Sequence, residues 1–277
     1  MNEGNIVCPI FEVVGNEILE AVYRFTNRNW QKIEFAEISD HPTDRRPPML
    51  LVHGQPGCGS RWGFLPSSLD QRFEMYSYDR PGWGMSRTKA QDITSNAHLL
   101  NSVAAQIHRA TGQEPIIMAY SYGAAIALMS LSTSKSAFST ALLIAPAISP
   151  QAINRYDKLF GYRIFGPIAA FVTSLFSTKY IGSGFREVLR SSRSLRVEAK
   201  NLLSELADMP NQDLSKKKIA ILAGTADFVT PPESIYDGAK KFSLSSIEWV
   251  NGGSHLLPWK NGDAILSFTE RAIIRTE

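Results

Sequence analysis

Cysteine is scarce in this chain. Cys8 and Cys58 are its two cysteines, too few for a disulfide framework and without the CxxC or Cys/His spacing of a zinc site. This scarcity favours a reducing compartment. We therefore expect a cytoplasmic protein that needs no metal.

An excess of charge of one sign is also missing. The sequence has 29 basic and 26 acidic residues, which leaves a formal net charge of +3 and no long run of one sign. Proteins that bind nucleic acid neutralise its phosphates with a larger basic surplus. We therefore expect no nucleic-acid partner.

Long hydrophobic runs are missing too. The longest apolar stretch without a charge covers residues 164–178, which is 15 residues, and it contains Gly166 and Pro167. A membrane-spanning helix needs roughly 20 residues, so we expect no stable span. The first residues are acidic early and lack a basic segment followed by an apolar one, so secretion is not indicated. Peripheral membrane contact and the oligomeric state stay open.

The sequence does contain an alternation of short apolar runs and helical patterns. Continuously apolar strands that alternate with helices are typical of a mostly parallel sheet covered on both faces, so we predict an α/β fold. Ser95 is expected to cap the second helix and Gly112 to end it. The predicted strands are 21–25, 31–38, 49–52, 73–78, 115–120, 141–144, 219–223 and 247–250, and the predicted helices are 61–71, 96–111, 122–131, 232–242 and 264–274.

The alternation is interrupted between residues 148 and 214, where the pattern is helical only. We interpret 148–214 as an all-helical cap inserted into a core formed by residues 1–147 and 215–277. Open parallel sheets place their sites at the carboxyl ends of the strands. The cap is expected to lie over those ends.

Ser121 lies where an apolar strand pattern stops and an alanine-rich helical pattern begins. Ala119 and Gly123 are small enough to permit a sharp strand-to-helix turn, which gives the pattern A-x-S-x-G. Such a turn lifts the hydroxyl into a pocket and points the helix N-terminus at the site. Ser121 is therefore a candidate nucleophile, and the alternative is a serine that only caps the helix.

Two later loops supply the base and the orienting acid that an activated serine needs. Asp227 follows the strand at 219–223, and His255 follows the strand at 247–250 on a glycine-rich loop. The order serine, aspartate, histidine is the one expected for this architecture. These three residues are the candidate catalytic triad.

Other residues compete for these roles. Two of the competing histidines lie inside a helix, one lies in a polar turn, and one follows a strand. The competing aspartates lie in or beside the insertion. Cys58 is interpreted as a small packing residue because no base is assigned to it. The competitors are His41, His53, His98 and His108 for the base and Asp157, Asp208 and Asp213 for the acid.

With these motifs in order, the chain resembles the α/β-hydrolase superfamily over nearly its whole length. Residues 53–57, HGQPG, are similar to that family's oxyanion loop, and residues 79–86 are similar to its DRPGxGxS turn. The resemblance implies that Ser121 is the nucleophile, His255 the general base and acid, and Asp227 the group that orients the histidine.

The same resemblance assigns the surrounding positions. It implies that the backbone N–H groups of Gln55 and Tyr122 form the oxyanion hole. It also implies that His53 and Asp79 brace loops rather than take part in the chemistry. No cofactor or metal is expected.

A serine nucleophile acts on an acyl carbon, whereas the haloalkane dehalogenases and epoxide hydrolases of this superfamily carry aspartate at the position of Ser121. We therefore expect a serine hydrolase that cleaves carboxylic esters of a small-molecule acyl substrate through an acyl-serine. Thioesterase, amidase and carbon–carbon bond hydrolase activities on the same triad are alternatives. A hydrolase-like receptor that holds its ligand without turnover is an alternative of another class.

Two segments of the predicted cap could contact a substrate. Residues 164–176 could line an apolar acyl pocket or pack the cap onto the core. Residues 185–206 predict an amphipathic helix with a basic side that could attract acidic substrates or lipid headgroups. Because glutamates interleave with these bases, we interpret this face as solvated. Its residues are Arg186, Arg190, Arg193, Lys200, Glu187, Glu198 and Glu205.

Overall fold

The computed structural model describes residues 22–33, 46–133, 136–150, 173 and 185–274. Within these residues, eight strands form one sheet. The strands are β1 (Val22–Thr26), β2 (Asn29–Ile33), β3 (Pro48–Val52), β4 (Glu74–Tyr78), β5 (Ile116–Tyr120), β6 (Thr140–Ile144), β7 (Lys218–Gly224) and β8 (Ile247–Val250). Their order across the sheet is β2-β1-β4-β3-β5-β6-β7-β8.

The sheet is mostly parallel. β1 pairs antiparallel with β2 and with β4, and the pairs from β4 through β3 to β8 are parallel. β3 lies between β4 and β5, so the chain changes direction across the sheet at β3. A crevice opens at such a switch point beyond the carboxyl ends of the strands, which is where ligands bind in open α/β sheets.

Helices connect these strands and cover both faces of the sheet. The helices of the described residues are α1 (Leu65–Leu69), α2 (Ile93–Thr111), α3 (Tyr122–Leu131), α4 (Phe185–Asp208), α5 (Pro232–Lys241), α6 (Leu257–Lys260) and α7 (Gly262–Ile274). None of them is both long and apolar enough to cross a membrane.

The core consists of two layers, one on each face of the sheet. Successive residues of a strand point to opposite faces, and along β6 Leu143 enters the layer covered by α2, α3 and α5, whereas Leu142 enters the layer covered by α1 and α7. Both side chains are buried. The predicted α/β fold with a mostly parallel, doubly covered sheet is therefore confirmed.

Two predicted helices differ from the structure by three or more residues at one end, and other helix ends differ by one or two residues. The helix predicted at 61–71 is helical only over Leu65–Leu69, and its late start follows from Gly63, which adopts a left-handed φ of 61°. α2 begins earlier than predicted, and its N-cap is Asp92, whose carboxylate accepts a hydrogen bond from the backbone N–H of Ser95 at 2.6 Å. Gly112 ends α2 in a left-handed conformation with φ 72°, as predicted.

Part of the predicted cap lies outside the described residues. Residues 151–172 and 174–184 belong to that part, so the apolar segment 164–176 is covered only at residue 173. α4 is described, and it agrees with the helix predicted at 185–206. The boundaries 148–214 stay a prediction. Four other sequence features also lie outside the described residues, namely Cys8, His41, Asp157 and the end of the strand predicted at 31–38.

Candidate active site

Ser121 forms the turn between the end of β5 and the start of α3. Its backbone has φ 53° and ψ −119°, a conformation that residues with a side chain rarely adopt. The turn requires glycine two residues later, because a Cβ at Gly123 would overlap the carbonyl oxygen of Val52. The Ser121 side chain makes no capping hydrogen bond to α3. Its hydroxyl is thus turned away from the helix and toward the carboxyl ends of the strands.

His255 lies on the loop after β8 and reaches across to the serine. Its Nε2 lies 3.0 Å from Ser121 Oγ, and its Nδ1 lies 2.8 Å from Asp227 Oδ2. When Nδ1 carries the proton and donates to the carboxylate, Nε2 is free to accept the proton of the serine hydroxyl. The hydroxyl of Tyr120 donates to the backbone carbonyl of His255 at 3.2 Å and so ties this loop to β5.

Asp227 follows β7, and several donors hold its carboxylate. Oδ1 accepts from the backbone N–H groups of Val229 at 2.8 Å and Thr230 at 2.9 Å, and Oδ2 accepts from the Thr230 hydroxyl at 2.8 Å. Burial raises the pKa of Asp227, but the hydrogen bonds from His255 and Thr230 outweigh it, and the net pKa is below the ordinary value. The carboxylate is therefore ionised at neutral pH and can orient the imidazole ring.

Thr230 is a site residue that the sequence reasoning missed. Its hydroxyl contacts Asp227 Oδ2 and lies 3.3 Å from His255 Nδ1. A threonine three residues after an aspartate at a strand end is the signal that could have found it, because short polar side chains in such turns bond to nearby polar groups.

The 53–57 turn, which follows β3, passes directly over the serine. A Cβ at Gly54 would lie 2.9 Å from the Cβ of Ser121, closer than side chains approach. Gln55 is the next residue of this turn, and Tyr122 is the first residue of α3. N–H groups in the first turn of a helix have no acceptor within the helix. The turn and the helix start thus bring Gln55 and Tyr122 close to Ser121.

His53 is neutral and structural. The backbone N–H of Arg80 donates to its Nε2 at 3.1 Å, so its Nδ1 carries the proton and donates to the carbonyl oxygen of Gly54 at 2.9 Å. Burial lowers the pKa of His53 well below its ordinary value, and the positive charge of Arg80 lowers it further. His53 therefore has no free nitrogen to act as a base for Ser121.

Asp79 braces the loop that follows β4. Its carboxylate accepts hydrogen bonds from the hydroxyl of Tyr23 at 2.6 Å, from the N–H of Gly59 at 2.7 Å and from the N–H of Met85 at 2.8 Å. Burial raises the pKa of Asp79, and these bonds partly offset the increase. The carboxylate joins three separate segments of the chain.

The remaining competitors lie away from the serine or lack reactivity. His98 and His108 are exposed on α2, and Asp208 and Asp213 are exposed. Burial raises the pKa of the Cys58 thiol to about 11, so the thiol stays protonated, in agreement with a packing role. Among the described residues, no cluster of His, Cys, Asp or Glu side chains could hold a metal ion.

The solvated face predicted for α4 is wrong at Glu198. Its carboxylate is completely buried and pairs with the buried guanidinium of Arg80, and it also accepts from Trp83 Nε1 at 2.8 Å. The helical spacing of the sequence indicates that Glu198 is buried, because Glu198 lies on the apolar stripe of Leu195 and Leu202 rather than on the polar face.

The same prediction is wrong at Arg190, which lies against the core. Its guanidinium donates to the carbonyl oxygens of Gly82, Gly84 and Thr88 at 3.1 to 3.3 Å. Glu205 is half-buried. The other residues of that face are exposed as predicted, and they are Arg186, Glu187, Arg193 and Lys200.

The chain matches one family profile and many solved structures. The profile described as the alpha/beta hydrolase family covers residues 49–267. A 2-hydroxy-6-oxo-6-phenylhexa-2,4-dienoate hydrolase from Rhodococcus sp. strain RHA1 is 15% identical, with a TM-score of 0.64, and the match covers 93% of this chain and 99% of that one. No curated protein sequence matches the chain.

Two further solved structures have the same fold with other activities in their names. An epoxide hydrolase from Vigna radiata is 15% identical, with a TM-score of 0.62, and the match covers 84% of this chain and 92% of that one. A thermophilic esterase from Thermogutta terrifontis is 17% identical, with a TM-score of 0.60, and the match covers 84% of this chain and 91% of that one. At these identities the similarity shows the fold.

Proposed function

Because the chain belongs to the alpha/beta hydrolase family, we propose that it is a serine hydrolase that cleaves carboxylic esters through an acyl-serine intermediate. One observation carries this proposal. The two ring nitrogens of His255 lie 3.0 Å from Ser121 Oγ and 2.8 Å from Asp227 Oδ2, which is hydrogen-bond reach for a nucleophile, its base and an orienting acid.

The proposed reaction has two halves. In the first, His255 Nε2 takes the proton of Ser121 as Oγ attacks the ester carbonyl, and the N–H groups of Gln55 and Tyr122 stabilise the oxyanion. The proton then passes from His255 to the departing alcohol, which leaves an acyl-serine. In the second half, His255 activates a water that releases the acid and restores the serine.

The nucleophile narrows the substrate class more than the structural neighbours do. Epoxide hydrolases of this superfamily attack with an aspartate, so the activity in the name of the Vigna radiata protein is not extended to a chain with serine at position 121. The esterase and the dienoate hydrolase are compatible with a serine that attacks an acyl carbon. We therefore take ester hydrolysis as the function to test first.

We also propose that residues 148–214 form a cap over the carboxyl ends of the strands. The support comes from α4, the described part of this segment, which packs its buried Glu198 and its Arg190 against the loop that follows β4. The buried thiol of Cys58 forms no disulfide bond, which is compatible with a reducing cytoplasm.

The test combines turnover with covalent labelling. p-Nitrophenyl esters of varied acyl length are assayed together with a fluorophosphonate probe on the wild type, on Ser121→Ala and on Ser102→Ala, which changes an exposed serine of α2. We expect Ser121→Ala to lose labelling and to lower kcat/KM by about 10³-fold or more, and Ser102→Ala to behave as the wild type.

The other outcomes separate the alternatives. Labelling of Ser121 without ester turnover would contradict the ester assignment and direct the search to thioesters, amides or carbon–carbon bonds. Absence of both labelling and turnover would overturn the enzymatic proposal and favour a receptor that holds its ligand.

A further inference from the structure

Arg80 links α4 to the 53–57 turn. The side chain is completely buried, and its guanidinium donates to the two carboxylate oxygens of Glu198 at 2.6 and 3.2 Å. Its Nε also donates to the carbonyl oxygen of His53 at 3.1 Å, and its Nη2 donates to that of Gly54 at 3.0 Å. One side chain thus connects a helix of the proposed cap to the turn that lies over Ser121.

The contact with Gly54 has a geometric consequence for Gln55. The Gly54 carbonyl and the Gln55 N–H belong to the same planar peptide group, so fixing the direction of one fixes the direction of the other. The carbonyl oxygen accepts from Arg80 and also from His53 Nδ1 at 2.9 Å. Two donors on one side therefore hold the peptide plane so that its N–H points to the opposite side.

Arg80 also contacts the other proposed donor of the oxyanion hole. Its guanidinium lies 4.7 Å from the centre of the Tyr122 ring, within the range of a cation–π contact. Tyr122 is the residue whose N–H follows Ser121. The guanidinium therefore contacts both the Gly54–Gln55 peptide group, through the Gly54 carbonyl oxygen, and the side chain of Tyr122.

The negative charge of Glu198 explains why Arg80 can be held there. A guanidinium excluded from water needs a charged partner, and its planar fork fits a carboxylate with two parallel bonds. Glu198 is held in turn by Trp83, whose Nε1 donates to it at 2.8 Å. Without the carboxylate, the guanidinium would have to move toward water and leave the two carbonyl oxygens.

We propose that the Glu198–Arg80 pair positions the Gly54–Gln55 peptide plane, so that a residue of α4 controls how well the oxyanion is stabilised. The inference rests on the proposed function for its effect on rate. Arg80 and Glu198 are positioning residues, because they act through the turn and not on the substrate. Glu198 lies 118 residues from Arg80 in the chain, so the pair connects two distant parts of the sequence.

The alternative is that the pair only docks α4 onto the core, and the chain offers a matched control for it. Arg190 docks the same helix onto the same loop, but its guanidinium donates to the carbonyl oxygens of Gly82, Gly84 and Thr88 and not to those of the 53–57 turn. Arg190→Met therefore weakens docking of α4 without releasing the turn.

The experiment compares Glu198→Gln, Arg80→Lys and Arg190→Met with the wild type. Steady-state kinetics are measured with a p-nitrophenyl ester, and amide hydrogen exchange of the 53–57 turn is measured on the free proteins. We expect Glu198→Gln and Arg80→Lys to lower kcat by about 10-fold to 100-fold with little change in KM, less than the loss of an oxyanion donor itself. Exchange in the turn should be faster in these two variants and unchanged in Arg190→Met.

Each outcome decides between positioning and docking. Equal effects of Arg190→Met and Glu198→Gln on kcat and on exchange would show a docking role and overturn the proposal, and so would unchanged exchange in Glu198→Gln. If Glu198→Gln does not fold, Arg80→Lys decides, because it keeps the buried charge pair but lacks the planar fork. If the wild type does not cleave esters, the proposed function fails, and the exchange measurements still show whether the pair holds the turn.

Discussion

Asp227 holds His255 in one orientation because its carboxylate is itself held in place. Both oxygens of Asp227 accept from the turn that follows it, and Oδ2 is shared between His255 Nδ1 and the hydroxyl of Thr230. The orientation of the imidazole therefore depends on a charged acceptor at a defined position.

Replacing Asp227 by Asn tests that dependence. The amide can present a donor to Nδ1, which favours the wrong tautomer of His255 and leaves Nε2 protonated, so we expect kcat for esters to fall by about 10⁴-fold in a folded protein. Asp213→Asn changes an exposed competing aspartate and is the control, with a near-normal rate expected. Steady-state kinetics together with circular dichroism make the comparison. A near-normal rate for Asp227→Asn would show that the acid is misassigned.

Glu205 on α4 is a second titratable residue with an altered environment. Burial raises its pKa to about 7, the nearby charges of Asp92 and Glu198 add to the increase, and hydrogen bonds from the N–H of Ile93 and the hydroxyl of Tyr122 partly oppose it. The folded state therefore binds this proton more tightly than the unfolded state does.

The raised pKa predicts a pH-dependent loss of stability. The stabilisation of the folded state that comes from the raised pKa of Glu205 is fully present below its ordinary pKa of 4.5, and it is lost as pH rises to about 7. Glutamine does not titrate, so Glu205→Gln should lack this decline. Between about pH 5 and about pH 8, the free energy of unfolding should therefore fall less in the variant than in the wild type. Urea unfolding at both pH values measures it, with the exposed Glu187→Gln as control. An unchanged pH dependence in Glu205→Gln would contradict the raised pKa.

At the scale of secondary-structure elements, the loops after β7 and β8 pack backbone against backbone. A Cβ at Gly224 would overlap the carbonyl group of Gly253, and the N–H of Ala226 donates to that carbonyl at 2.9 Å. Gly224 immediately precedes the loop of Asp227, and Gly253 lies on the loop of His255. The spacing between Asp227 and His255 therefore depends on the absence of a side chain at Gly224.

Gly224→Ala should separate the two loops. Backbone cannot yield as a flexible side chain can, so we expect the acid and the base to shift relative to each other and kcat/KM to fall on the order of 10²-fold. The thermal midpoint should fall as well, because overpacking a close contact destabilises the fold. Gly262→Ala is the matched control, since its Cβ would meet only Ser68 Oγ at 3.7 Å. Equal activity of the two variants would contradict the proposed spacing role.

At the scale of the whole molecule, one sheet supports two core layers. Leu142 and Leu143 are neighbours in β6, yet their side chains enter opposite layers and both are buried. Stability should therefore depend on both faces of the same strand.

Leu142→Ala and Leu143→Ala should each lower the free energy of unfolding by about 2–5 kcal/mol, because each deletes a buried side chain in a packed layer. Met85→Ala, at a side chain that is 65% exposed, should have little effect. Urea unfolding of the three variants tests this expectation. If one leucine variant is as stable as Met85→Ala, its layer does not contribute to the global fold.

Much of the fold follows from periodicity in the sequence. The strand at 247–250 and the helix at 122–131 have the predicted boundaries, because serines and an Asn-Gly pair flank the strand and an alanine-rich apolar pattern fills the helix. α2 starts earlier than the sequence predicts, because Asp92 and Ser95 are both acceptable caps and local sequence does not choose between them. α1 is shorter than the helix predicted at 61–71, and its start is delayed by the left-handed Gly63.

The sequence by itself determined which residues follow the strands. The carboxyl ends of parallel strands meet at one edge of a sheet, so Ser121, Asp227 and His255 could be assigned to a common site from their positions after strands. Tertiary structure decided the distances between them and the partners of the charged residues on α4. The helical spacing places Glu198 on the apolar stripe of α4, but its partner Arg80 lies 118 residues away in the chain and meets it only in the folded molecule. Periodicity encodes the face of a helix, whereas a pair between distant side chains exists only once the chain has folded.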